Sequence, residues 1–120
     1  MNEKLVSIII PVYNGKDYID NCLKHLFKNT IYPGYEVIVV DDASTDGGGD
    51  FLCSFKKTGK IKLIENEENL GFARTCNKGA SIANGDYLVF LNMDTLPLPG
   101  WLSEMVNILN ENKEIGACVW

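Results

Sequence analysis

The chain has 120 residues, 46% of them apolar and 22% charged, and a formal net charge of −5. That supports one α/β domain with a real core, excludes two domains, and argues against disorder. The acidic balance, with no basic run longer than Lys56-Lys57, sets nucleic acid aside as a partner, and no apolar run approaches the ~20 residues of a membrane span.

Leu5 to Ile10 is apolar on both faces and is stopped by Pro11, the pattern of a central strand in a covered parallel sheet. Asn14-Gly15 makes a turn, and Asp17, with Asp20 three residues on, is placed to cap a helix. That helix carries Ile19, Cys22, Leu23, Leu26 and Phe27 on one face. After the break at Pro33-Gly34, Tyr35 to Val40 forms a second strand that runs into Asp41-Asp42. A helix over roughly 46–57 follows, weakened at its start by Gly47-Gly48-Gly49. Ile61 to Ile64 is a third strand. The spacing predicts a third helix from Phe72 to Ala83, with Phe72, Cys76, Ala80 and Ala83 on its apolar face and Gly85 beyond its end. Asp86 to Leu91 is a fourth strand, ending at Asn92-Met93-Asp94. Pro99 opens a fourth helix with Trp101, Leu102, Met105, Ile108 and Leu109 inward, and Ile115 to Val119 starts a fifth strand.

Strict alternation of strand and helix implies a Rossmann-like, three-layer α/β/α domain over residues 1–120 with a mostly parallel central sheet. Ligands in such sheets bind beyond the carboxyl ends of the strands, where strand order reverses. The expected carboxyl edge collects Pro11, Val12 and Tyr13, then Asp41 and Asp42, then Asn92 and Asp94; the opposite edge shows only lysines and polar turns. Tyr13 offers a flat face on which a base stacks, or covers the rim of the sheet. Asp41 and Asp42 accept hydrogen bonds from a base or ribose, or hold the next loop. Asp94 follows the buried run Leu-Val-Phe-Leu, where a carboxylate is costly without a cation or donors; a divalent ion shared with phosphate oxygens is one solution, an Asx-turn with Thr95 the other. Arg74 opens the third helix and either pairs with a phosphate or is solvated.

Cys22, Cys53, Cys76 and Cys118 lack zinc-type spacing and read as small buried apolar groups in a reducing compartment. His25, the lone histidine, lies mid-helix and reads as a surface or core residue; a Ser-His-Asp or Cys-His mechanism would have to be built on it alone. The start Met1-Asn2-Glu3-Lys4 lacks a signal peptide's regions. The expected location is the cytoplasm or the inner face of its membrane.

Four blocks then stand in order: Ser7-Ile8-Ile9-Ile10-Pro11-Val12-Tyr13-Asn14; Glu36 to Asp46, containing Asp41-Asp42-Ala43-Ser44; Asn69-Leu70-Gly71-Phe72-Ala73 with Asn77 and Gly79; and Gly85 to Thr95, ending Asn92-Met93-Asp94-Thr95. Together they resemble glycosyltransferase family 2. The resemblance implies the GT-A nucleotide-diphospho-sugar transferase fold and inverting transfer of a sugar from a nucleotide-diphosphate donor, with a UDP- or dTDP-sugar expected, to a saccharide or lipid-linked acceptor in cell-wall or polysaccharide synthesis. By position it places Pro11 to Tyr13 against the nucleobase and Asp42 in a hydrogen bond to it. Asp41 supports the loop or the ribose, Arg74 lies near the diphosphate, and Asp94 is the metal-binding last acid of the DxD motif, with Mg²⁺ or Mn²⁺ as cofactor.

Two departures qualify the resemblance. The motif's first acid is an amide, Asn92, as in rhamnosyltransferase-like members, so the site carries less negative charge. The family's catalytic base and acceptor segments are expected beyond residue 120, in which case this chain is the donor-binding portion and inactive alone. Self-association through an unpaired sheet edge is a further expectation. The rival reading is a non-catalytic nucleotide-sugar-binding module. A phospho-accepting receiver is set aside because Ile64 leads to Glu65-Asn66-Glu67, with no aspartate after the third strand.

Overall fold

A computed structural model describes residues 4–112 and the backbone of Ala117–Val119. Residues 115 and 116 of the expected fifth strand and the Cys118 side chain lie outside the described residues. The elements are β1 (Val6–Val12), α1 (Lys16–Asn29), β2 (Tyr35–Asp41), α2 (Gly48–Lys56), β3 (Lys62–Glu65), α3 (Phe72–Ser81), β4 (Tyr87–Phe90), α4 (Trp101–Glu111) and β5 (Ala117–Val119). All described pairings are parallel, in the order β3-β2-β1-β4-β5. The order reverses at β1, with β2 and β4 as its two neighbours.

The two-faced apolar pattern of β1 follows from this central place. Val6, Ile8, Ile10 and Val12 join a core with α1, α2 and α4, whereas Ile9 packs with Ile38 and Val40 on the other face, against Ala80 of α3 and Ala83 just beyond it. The contact with α3 is close: a Cβ at Gly79 would lie 2.6 Å from Ile9 Cγ2 and 3.1 Å from Val40 Cγ2, so any larger residue there forces the helix off the sheet.

Several expectations are corrected in detail. β1 continues through Pro11 to Val12. Pairing with β4 ends at Ile9↔Phe90, and Leu91 N donates to Ile9 O while Asp42 N donates to Val12 O. Strand alternation therefore directs the Pro11 nitrogen to the β4 side, past the end of that ladder, where a missing N–H costs no bond. Asp17 does not cap α1; it lies in the first turn behind Gly15, and Lys16 N donates instead to Asp46 Oδ2, 2.9 Å away across the chain. Ile108 is 48% exposed because Val106 holds the inner stripe of α4 with Trp101, Leu102, Met105 and Leu109. Cys22 and Cys76 are buried, but Cys53 is only partly so and donates to Glu65 Oε1.

The amino edge of the sheet is also richer than lysines and turns. Glu36 accepts from Ser7 Oγ at 2.5 Å, Asn84 N at 2.7 Å and Lys62 Nζ at 2.7 Å, and Gly85 N donates to Ser7 Oγ. Burial alone would raise its pKa, but the bonds from Lys62, Ser7 and Asn84 and the Lys62 charge outweigh it and hold the carboxyl at about 2, against an ordinary 4.5. A folded-state pKa below the unfolded one contributes stability that is complete above the unfolded value and is lost as pH falls through the folded one. Wild-type stability therefore declines between pH 4.5 and about 2, by on the order of 2 kcal/mol from this group. Urea unfolding across that range checks it: Glu36→Gln is expected to be less stable at pH 7 and to show a shallower acid decline, and a decline as steep as the wild type's contradicts this origin.

Candidate functional site

At the reversal of strand order the loops after β1, β2 and β4 separate, leaving a cleft of about 480 Å³. Pro11, Val12 and Tyr13 line it from β1, Asp42 from β2, and Asn92, Met93 and Asp94 from β4; Asn69, Gly71, Phe72 and Thr75 close it from the entry to α3. Of the eight residues singled out in the sequence, six meet here. Asp41 lines a neighbouring groove instead, with Ser44, Asp50 and Glu65. Arg74 is exposed in the first turn of α3 and lines neither cavity.

The two aspartates at the end of β2 have different tasks. Asp41 is buried, and its Oδ1 accepts from Ser44 N and Ser44 Oγ, while Ser44 Oγ accepts from Asn14 N. Asn14 Oδ1 in turn accepts from Thr45 N at 2.8 Å, so the loops after β1 and β2 are fastened to one another. Asp42 is 4% exposed. Its Oδ1 accepts from Asn66 Nδ2 and Leu70 N at 2.8 Å each, and its Oδ2 accepts from Gly71 N at 3.0 Å. Burial opposes its charge, but hydrogen bonds from Leu70, Asn66, Gly71 and Thr75 prevail and hold the carboxyl below the ordinary range. The carboxylate that the resemblance gives to a base thus also holds the segment opening α3. Ala43, next in the chain, has φ 63°, left-handed backbone that a Cβ disfavours by roughly 1 kcal/mol and that the surrounding bonds sustain.

After β4, Thr95 N donates to Asn92 O and closes a turn. Asn92 and Asp94 are exposed and Met93 between them is half-buried. Met93 packs beneath the first loop: a Cβ on Gly15, itself at φ 76°, would lie 2.9 Å from Met93 Cε. The Asn92-Met93-Asp94 turn is therefore moored to the loop that bears Tyr13. Cys22 lies under it, its thiol pushed up to about 12 by burial and then by the Asp94 charge, and serves as a neutral packing group. Asp94 departs from expectation in being solvent-accessible, so no burial cost calls for a cation there.

What favours a metal at Asp94 is its chemistry. It is a hard oxygen donor on the cleft wall with no hydrogen-bond partner among the described residues, which suits Mg²⁺ or Mn²⁺. Among the described residues no three His, Cys, Asp or Glu side chains stand close enough to hold an ion by themselves, and a bound phosphate or water could supply further ligands beside Asp94. Sequence reasoning missed Phe72 and Thr75 as cleft residues, and Met93 as the anchor of its turn.

The sequence pattern of Glycosyl transferase family 2 matches residues 7–120. The chain belongs to glycosyltransferase family 2. An uncharacterized glycosyltransferase of Haemophilus influenzae is 36% identical over 117 residues, 97% of this chain and 36% of that protein. Among solved structures, the family-2 chain is similar to the mannosyltransferase PcManGT of Pyrobaculum calidifontis in complex with GDP-Man and Mn²⁺, with a TM-score of 0.82 and 31% identity over 90% of this chain and 33% of that one. It is also similar to S. aureus TarS 1-349 in complex with UDP, with a TM-score of 0.77 and 28% identity over 91% of this chain and 33% of that one. The chain thus spans about a third of the length of each of these proteins. The parallel sheet flanked by helices is the Rossmann-like part of the GT-A fold, and no described helix is long and apolar enough to cross a membrane.

Proposed function

We propose that this chain binds the nucleotide-diphosphate-sugar donor of a glycosyltransferase that transfers the sugar, with inversion, to an acceptor hydroxyl. The observation that carries the reading is the meeting of Pro11, Val12, Tyr13, Asp42, Asn92 and Asp94 in one cleft at the point where strand order reverses. The GDP-Man, Mn²⁺ and UDP in the similar structures support it. Tyr13, 48% exposed on the cleft wall, stacks on the base, and Asp42 accepts a hydrogen bond from it. Asn92 reaches the ribose, Arg74 swings to the diphosphate, and Asp94 holds Mg²⁺ or Mn²⁺ beside the phosphates. A divalent ion held by Asp94 would supply positive charge against the charge that builds on the departing diphosphate.

In the complete reaction the acceptor oxygen attacks the anomeric carbon from the face opposite the diphosphate. The new C–O bond forms as the bond to the phosphate oxygen breaks, and the acceptor proton passes to a carboxylate general base. The donor is a UDP- or dTDP-sugar and the acceptor a saccharide or lipid-linked saccharide, with the amide at Asn92 leaning toward a rhamnosyl or related hexosyl donor. Calorimetric titration of UDP, dTDP and GDP, each with and without Mn²⁺, tests the reading. UDP or dTDP is expected to bind at least tenfold more tightly with the metal; binding of GDP alone overturns the choice of base, and absence of binding by all three overturns the reading.

A further inference from the structure

We infer that Phe72 is a second base-contacting wall of the cleft, facing the same ligand as Tyr13; this rests on the donor-binding reading above. Phe72, Cys76 and Gly79 recur at helical spacing, so Phe72 is in phase with the stripe of α3 that covers the sheet. Yet it is 62% exposed, while Cys76 is 7% exposed and Gly79 is buried. The reason is its place along the helix. Gly79 meets Ile9 and Val40, and seven residues of helix advance about 10 Å, which carries Phe72 past the carboxyl ends of β1 and β2. The stripe overhangs the sheet there, and its last ring lines the cleft with Pro11, Val12, Tyr13 and Asp42.

The backbone that bears the ring is also held in place. Asp42, itself buried, takes both Leu70 N and Gly71 N, the two amides immediately before Phe72, and Thr75 N donates to Gly71 O. A large apolar ring with the adjoining backbone fixed and its face uncovered suits a flat ligand with a polar edge. A nucleobase has that shape: its faces lie against Tyr13 and Phe72, and an edge N–H turns to Asp42. Stacking depends on the ring's π-face and not on its burial, so the contact discriminates base from no base.

The test uses the 120-residue chain with whichever of UDP, dTDP or GDP it binds most tightly, and ribose 5-diphosphate as the probe that lacks a base. Phe72→Ala is expected to weaken the nucleotide about tenfold or more, leave ribose 5-diphosphate unchanged, and shift the thermal midpoint little, since the ring is mostly exposed. Phe72→Tyr is expected to restore nucleotide binding. Nucleotide affinity unchanged in Phe72→Ala, or both probes weakened equally, overturns the inference while leaving the donor site standing. A wild-type chain that binds no nucleotide overturns the donor-binding reading and this inference with it.

Discussion

Replacing Asp42 with alanine is expected to lower the free energy of unfolding by about 2–4 kcal/mol, the largest effect of any single change at the cleft. The substitution strands Asn66 Nδ2, Leu70 N and Gly71 N, all bonded to this one carboxylate. Each stranded donor costs about 1–3 kcal/mol when dry, and the lower total allows for water entering from the cleft. Asp42→Asn should fall between, because its amide keeps one acceptor oxygen but turns an NH₂ toward a donor. The pH dependence has a definite sign. The folded-state pKa of Asp42 is depressed, so its contribution is complete above the unfolded carboxylate range and fades as pH falls below it. Urea unfolding from pH 7 downward, with hydrogen exchange at Leu70 and Gly71, reads both effects. An asparagine variant with wild-type stability and unchanged exchange at those amides would contradict the clamp.

Asp94→Ala should behave in the opposite way. The residue is exposed and has no hydrogen-bond partner among the described residues, so stability should stay within about 0.5 kcal/mol of wild type. Nucleotide affinity measured with Mn²⁺ should drop at least tenfold, to the value found without metal, and the metal-free value should not change. Asp94→Asn should lose nearly as much, because a neutral amide oxygen is a poor partner for a divalent ion. Equal affinities for wild type and Asp94→Ala in the presence of Mn²⁺ would remove the metal from the account. The contrast is informative: Asp42 ought to matter to the fold with or without ligand, Asp94 only when metal and phosphate are present.

The order of the elements was legible because the strands are short apolar runs followed by polar or turn residues, and the first, third and fourth helices repeat their apolar residues at helical spacing. Convergence of Tyr13, Asp42 and Asp94 followed from the rule that parallel sheets bind ligands at their carboxyl ends. What escaped was non-local. Asp46 supplies the acceptor for Lys16 N from another loop, and local spacing instead pointed to Asp17. Glu36 looked like one more strand residue until Ser7, Lys62 and Asn84 closed around it. Phe72 has the right phase for burial, but phase does not reveal that the sheet ends beneath it. Asp94 was read as a costly buried anion because it follows a buried run, whereas the turn closed by Thr95 N leaves it in solvent. Arg74 stands on the expected helix turn, yet its backbone position does not bring it to the cleft wall.

The most direct measurement is a crystal structure of the chain grown with Mn²⁺ and the nucleotide diphosphate it binds best. The account predicts the base between Tyr13 and Phe72 with an edge on Asp42, and the divalent ion held by Asp94. A nucleotide seated elsewhere, with the cleft after β1, β2 and β4 filled only by water, would contradict it.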